Sequence, residues 1–198
     1  MTDFFLIRHA SHDLLGKALA GRADIHLNTK GIAEATRLPL RLSNTRIDAI
    51  HVSRRHRCWE TAALLAASKS LRLQVNEKID EIDFGDWTQR PFIELENDPQ
   101  WKVWNSNRIA ARIPNGETIQ DVQSRVLEAL RELADQNENA AIAIVSHCDV
   151  IKAALAGILS LSLNDLERFE IAPASVSRIT MDQRWAKVQS MNETDGSF

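Results

Sequence analysis

Arg8-His9 and Ser146-His147 are the residues whose types and setting most directly suggest chemistry. Each pair closes an apolar run, Phe4-Phe5-Leu6-Ile7 before the first and residues 140–145 (AAIAIV) before the second. Such runs read as strands buried on both faces. In open α/β sheets, ligands collect at the carboxyl ends of the strands. If the two strands are neighbours, both imidazoles meet at one mouth. A third strand candidate, residues 47–52 (IDAIHV), leads through Ser53 to Arg57 one helical turn later. Two guanidiniums and two imidazoles converging on one point make an anion site, because the fork of an arginine matches phosphate oxygens in bidentate fashion.

The expected chemistry follows from charge. At about 4 Å and an effective dielectric near 20, each guanidinium attracts a unit negative charge by roughly 4 kcal/mol before desolvation. The same cations disfavour imidazolium, which keeps His9 neutral and able to attack phosphorus. A leaving alkoxide needs a proton. Glu81, in a loop after the third strand (residues 71–75), is the candidate acid, and the same group can later activate water against a phosphohistidine. Taken singly, these residues have plain readings: a structural histidine, a capping Arg8, a solvated basic helix start at Arg54, Arg55, His56 and Arg57, or one acid among Asp80 and Asp83. The combination carries the inference. A metal could use His9 with His12, or His147 with Asp149, but no dense carboxylate or cysteine cluster completes such a set. No metal or cofactor is therefore expected.

The elements that must position these groups alternate. A long polar passage, residues 11–28, follows His9, and a loop of that length inside a domain is usually functional. Asn28-Thr29 can cap a helix running through Ala33, Ala35 and Leu38 towards Leu42, which Pro39 limits or kinks. Helical patterns follow at 61–68, in short pieces at 91–97 and 99–105, and from Thr118 with apolar residues at three-and-four spacing (Ile119, Val122, Val126, Leu130, Leu133). A helix is expected from about 149 to 159. Closing strands are expected near 176–181 and 185–188, as a hairpin around Asp182-Gln183, with a frayed tail after them. Strands alternating with helices imply an α/β fold: one three-layer domain with a mostly parallel central sheet and helices on both faces.

Composition sets the limits. The chain has 198 residues and a formal charge of −3, so it carries no basic excess for nucleic acid or an acidic membrane. Its apolar runs are far too short to span a bilayer, and its first residues lack a secretory pattern. Cys58 and Cys148 make no disulfide framework. A cytoplasmic setting and a small-molecule partner are the expectation, and a homodimer is compatible with the sequence.

Six segments in order then carry a resemblance: Arg8-His9-Ala10; Gly21-Arg22-Ala23-Asp24 through Gly31; Ser53 through Arg57 to Thr61-Ala62; Glu81-Ile82-Asp83-Phe84-Gly85-Asp86-Trp87; Pro114-Asn115-Gly116-Glu117-Thr118; and Ser146-His147-Cys148. The chain resembles the histidine phosphatase superfamily, in its phosphoglycerate-mutase-like branch, over nearly its whole length. The resemblance implies a histidine phosphatase domain over 1–190 with a tail at 191–198. It also implies a metal-independent phosphomonoesterase in which His9 is phosphorylated. Arg8, Arg57 and His147 complete the phosphate pocket, Glu81 donates the proton, and Arg22 reaches the substrate or its phosphate. Ala10 and Cys148 stand where the family has glycine, and His12 where it often has Thr or Ser, so His12 and Cys148 are expected at the pocket. Leu15 replaces a substrate-contacting Asn of the mutases, and the chain lacks much of their insertion. The 81–87 stretch and the Trp101/Trp104 segment look like phosphatases of the α-ribazole phosphate type, although Gln89 replaces a glycine frequent there. A phosphoglycerate mutase and a catalytically silent phospho-ligand binder are the alternatives.

Overall fold

The computed structural model describes residues 1–182 and 184–194. In chain order its elements are β1 (Thr2–Arg8), α1 (Thr29–Arg41), β2 (Ala49–Val52), α2 (His56–Lys69), β3 (Leu73–Val75), α3 (Phe92–Leu95), α4 (Pro99–Ser106), α5 (Ile119–Gln136), β4 (Ala141–Ser146), α6 (Cys148–Ile158), β5 (Val176–Met181) and β6 (Ala186–Glu193). The six strands form one sheet in the order β3-β2-β4-β1-β5-β6. β1, β4, β2 and β3 run parallel, while β5 and β6 run antiparallel to their neighbours.

The period of two in a strand explains the layers. Phe5 and Ile7 of β1, with Ala143 and Val145 of β4, pack against Leu38 of α1 and Cys58, Ala62 and Leu65 of α2. Phe4 and Leu6, with Ile142 and Ile144, face Val126 and Leu130 of α5 and Ile151 and Leu155 of α6. Trp87 and Trp104 extend that second layer and meet edge to face at 6.5 Å. The two apolar strands are direct neighbours, with Ile7 opposite Val145 and Arg8 opposite Ser146. His9 and His147 therefore leave the sheet side by side.

Two boundaries reach past expectation. α2 begins at His56, not near Thr61, with Arg55 as a cap that makes no side-chain bond. α1 ends at Arg41, where the run towards Leu42 put it, and Pro39 sits inside the helix near that end. β6 continues to Glu193, which pairs with Val176, so residues 191–193 belong to the sheet, not to a tail. Gln183 of the expected hairpin turn and tail residues 195–198 lie outside the described residues. No helix among the described residues is long and apolar enough to cross a membrane.

Candidate active site

The strand register brings His9 and His147 to ring centroids 5.2 Å apart. Both are buried. His9 Nδ1 lies 2.8 Å from the Ala10 carbonyl oxygen, which only accepts, so Nδ1 carries the proton and Nε2 the lone pair. Burial, then Arg57 and Arg8, hold the His9 pKa well below the usual imidazole range. The result is a neutral imidazole with a free Nε2, held at its backbone by His9 N donating to Ser146 O at 2.9 Å.

His147 is fixed from the opposite side. The Ser53 hydroxyl donates to Asp80 Oδ1 at 2.7 Å, so it accepts from His147 Nε2 at 2.7 Å. Nδ1 of His147 is left with its lone pair, 3.1 Å from Arg57 Nη2 and 3.3 Å from Glu81 Oε2. Burial and the Arg57 charge keep His147 neutral, so its contact with Glu81 is a hydrogen bond and no ion pair. Burial also pushes the Glu81 pKa up to about 7, against the opposing pull of Arg57 and with help from Asp149. A carboxyl poised there can hold a proton and release it at neutral pH.

Arg57 has no exposed side-chain surface. Its Nη2 donates to the Gly21 carbonyl at 2.7 Å and its Nη1 to Ala23 at 3.1 Å, while its Nε has no partner. Arg8 Nη1 donates to Ile171 O at 2.5 Å, and its Nε is also buried without a partner. A buried guanidinium normally has a charged partner. Here the carboxyl that faces Arg57, Glu81 at 3.5 Å, has its ionised form disfavoured by its own burial. His147 is the cap residue of α6 and offers no side-chain bond to the helix, and α2 begins one residue before Arg57 without such a bond. Both helix N-termini thus add positive potential to the site.

Arg22 is turned toward acids. It donates to the Glu81 carbonyl at 3.0 Å and lies 3.3 Å from Asp83 and 3.0 Å from Glu117. Arg125 Nη2 reaches the same carbonyl at 3.2 Å, so the Glu81 backbone is held by two guanidiniums. The 81–87 segment lies against the 114–117 segment: Asp83 N donates to Glu117 Oε2, and Glu117 N donates to Asp83 O, both at 2.9 Å. His12 is buried with its ring 5.2 Å from that of His9. Its Nδ1 has no partner, and burial with Arg57 and Arg8 lowers its pKa to about 4. Cys148, half-buried, directs its thiol toward the Ile171 carbonyl at 3.8 Å, and burial pushes its pKa up to about 11. Ala10 and Cys148, at the glycine positions, both avoid positive φ.

Ser53, Asp80, Thr61 and Arg125 are the structural partners that single-residue reasoning passes over. Thr61 accepts from Ala10 N at 2.9 Å and donates to Arg57 O at 2.6 Å, tying β1 to α2. Only the Ser53-to-Thr61 spacing hinted at this. Among the described residues, His9, Glu81 and His147 could hold a metal ion, with ligating atoms within 4.8 Å of one another. Arg57 lies among those lone pairs, so the local potential favours an anion over a cation.

A three-layer α/β fold with paired imidazoles, buried guanidiniums and a poised carboxyl defines a phosphoryl-transfer class of protein. The sequence model of the histidine phosphatase superfamily (branch 1) matches residues 4–194. The chain belongs to that superfamily and, with it, to the phosphoric monoester hydrolases. It is 28% identical over 198 residues to phosphoserine phosphatase 1 of Hydrogenobacter thermophilus, covering 98% of this chain and 93% of that one. It is 26% identical over 191 residues to the adenosylcobalamin/alpha-ribazole phosphatase of Escherichia coli, covering 95% and 94%. The crystal structure of a phosphoserine phosphatase mutant from Entamoeba histolytica in complex with phosphoserine superposes with a TM-score of 0.90 at 27% identity, covering all of both chains.

Proposed function

We propose that the chain is a metal-independent phosphomonoesterase that works through a phosphohistidine at His9 on a small phosphorylated metabolite. The observation that carries this is the pair of buried Nε–H groups of Arg8 and Arg57, both unpartnered, beside a neutral imidazole with a free Nε2. A phosphate dianion would supply acceptors for both Nε–H groups and the negative charge the two cations draw in. With phosphate held by Arg8 and Arg57, and by His147 once the dianion's charge has brought a proton to its Nδ1, the Nε2 lone pair of His9 attacks phosphorus. The P–O bond to the alcohol breaks, and the Glu81 carboxyl hands its proton to the departing oxygen. Glu81, now ionised, takes a proton from water as that water attacks phosphorus. The N–P bond breaks, its electron pair returns to Nε2, and phosphate leaves. Arg22 contributes by holding the Glu81 backbone. α-Ribazole phosphate and phosphoserine, named by the relatives, are the first substrates to try.

The test is hydrolysis of p-nitrophenyl phosphate in EDTA by wild type and His9→Ala. Activity that survives chelation and disappears in the variant is expected. Equal activity in the variant would remove His9 as nucleophile, and a wild type that works only with added metal would overturn the metal-free reading.

A further inference from the structure

One buried polar atom at the site takes no part in the steps above. Three side-chain nitrogens around His9 are buried without a partner: Arg8 Nε, Arg57 Nε and His12 Nδ1. A phosphate bound there engages the first two and leaves the third unexplained. His12 is 4% exposed, and its ring centroid lies 5.2 Å from that of His9, the same separation that His147 has. Among the described residues no hydrogen bond reaches either nitrogen of the His12 ring.

The other polar side chains beside it are engaged. Ser11 Oγ donates to Glu34 Oε1 at 2.9 Å, and Ser11 N donates to Glu34 Oε2 at 2.8 Å. Asp13 Oδ1 accepts from Asn28 Nδ2 at 3.1 Å. Leu14 and Leu15, which follow, carry no polar side-chain atom. The backbone is pinned as well. His12 O accepts from Leu15 N at 3.1 Å, and Ser11 O accepts from Asn28 N at 3.2 Å. Gly31 of α1 comes so close that an added Cβ would lie 2.0 Å from Ser11 O. A well-anchored segment therefore holds an unbonded imidazole beside the nucleophile. Burying a ring nitrogen without a partner costs free energy, and a ligand that supplies the partner recovers it.

We propose that His12 is a further phosphate-binding residue, whose Nδ1–H donates to an oxygen of the phosphoryl group that His9 attacks. This rests on the phosphomonoesterase reading and adds a residue to its pocket. The neutral ring suffices for the role. Burial, then Arg57 and Arg8, lower its pKa to about 4 against the opposing pull of Asp13, so at pH 7 the ring has one N–H and one lone pair. With the proton on the buried nitrogen, the ring meets an anion with a donor. The other tautomer would turn a lone pair toward the same anion. Arg8, Arg57 and His12 then bring one buried N–H each to phosphate, and none of the three atoms stays unpaired.

Side-chain geometry makes the test positional. Asn sets its amide nitrogen where histidine has Nδ1, Gln sets it near the reach of Nε2, and Phe fills the space of the ring with no donor. For p-nitrophenyl phosphate in EDTA, His12→Phe should lower kcat/KM by about tenfold or more, the scale of one hydrogen bond to a charged group. It should weaken inorganic phosphate, titrated by calorimetry, by a similar factor. His12→Asn should recover most of both losses, and His12→Gln should not. A side chain that only fills space predicts the reverse order, with Phe best and Asn worst. Phosphoserine should lose as much as p-nitrophenyl phosphate, because the contact is to the group they share. The phosphate Kd of the folded protein compares Asn with Gln even where His12→Phe does not fold. Wild-type values in His12→Phe, equal recovery by Gln and Asn, or a loss confined to phosphoserine would overturn the proposal. The phosphate titration also separates the two levels of inference. A wild type that binds phosphate and hydrolyses no ester rejects the phosphatase reading, while the variants still decide the His12 contact. A wild type that does neither rejects both.

Discussion

Each ring nitrogen in the site has a role set by one hydrogen bond. His9 spends Nδ1–H on the Ala10 carbonyl, and His147 spends Nε2–H on Ser53. Neutral imidazoles are thereby held in opposite tautomers within one pocket. Glu81 is the group whose titration should be visible. Its pKa of about 7 makes the acid form abundant at neutral pH and scarce above it. With an alkyl phosphate, whose alkoxide needs that proton, kcat/KM should fall as pH rises above 7. Glu81→Gln should lower kcat by roughly 100-fold or more and flatten this limb. p-Nitrophenyl phosphate, with its stable leaving group, should lose far less. An unchanged pH limb in Glu81→Gln would assign the acid elsewhere. Cys148 makes no such contribution: a thiol pushed up to about 11 is protonated and poorly nucleophilic at neutral pH.

At the scale of elements, the irregular segments do as much as the helices. Gly85, at φ +44, allows the loop after Glu81 to lie against the 114–116 turn, where an added Cβ would come within 2.1 Å of the Pro114 carbonyl oxygen. The positions where this chain lacks glycine are informative too. Asn115 takes φ +57, which Asn tolerates, but Gln89 is held at φ +65, where a side chain is strained. Its amide is kept there by donating to the Leu19 carbonyl at 2.7 Å, which joins the 81–90 segment to the long loop. Gln89→Gly should therefore stabilise the fold by roughly 0.5 kcal/mol, the relief of strain less the added unfolded-state entropy. The measurement is the urea midpoint at constant m-value. A lower midpoint would mean that the Gln89 side chain contributes more than its backbone costs.

The whole molecule carries a net charge of −3 yet concentrates positive potential at one end of its sheet. That contrast gives two linked stability expectations. His9, His12 and His147 are held neutral below their ordinary pKa, so the unfolded chain binds more protons than the folded one beneath pH 6.5. Stability should fall as pH drops from 6.5 toward 4. Glu81 has the opposite sign, since the folded state retains its proton between 4.5 and about 7, but one carboxyl opposes these three imidazoles and that of His51, whose pKa burial also lowers. Calorimetric Tm against pH tests the balance, and a Tm that rises on acidification would refute it. Inorganic phosphate, as a ligand of the folded site, should raise Tm. At about a hundred times its Kd it adds about 2.7 kcal/mol. Arg57→Met should abolish that rise, and a rise that persists would place phosphate elsewhere.

By itself the sequence determined the two apolar strands, their terminal histidines, the amphipathic helix behind them and the spaced residues that mark the family. These are local signals: an unbroken apolar run or a three-and-four spacing has one favourable burial, whatever surrounds it. The same locality explains what it left open. The start of α2 was hidden by a basic stretch at a helix N-terminus, where the macrodipole disfavours cations, and only the buried seat of Arg57 offsets that cost. The extent of β6 depended on its partner β5, because an edge strand takes its pairing from its neighbour more than from its own pattern. Tertiary structure alone turned Arg22 to the Glu81 carbonyl, placed Asp80 behind Ser53 and His147, and set Asp149 against Arg108. Those contacts join residues far apart in the chain. Hydrogen-bond direction, burial and the pKa of a carboxyl arise only once the fold has chosen what faces each group.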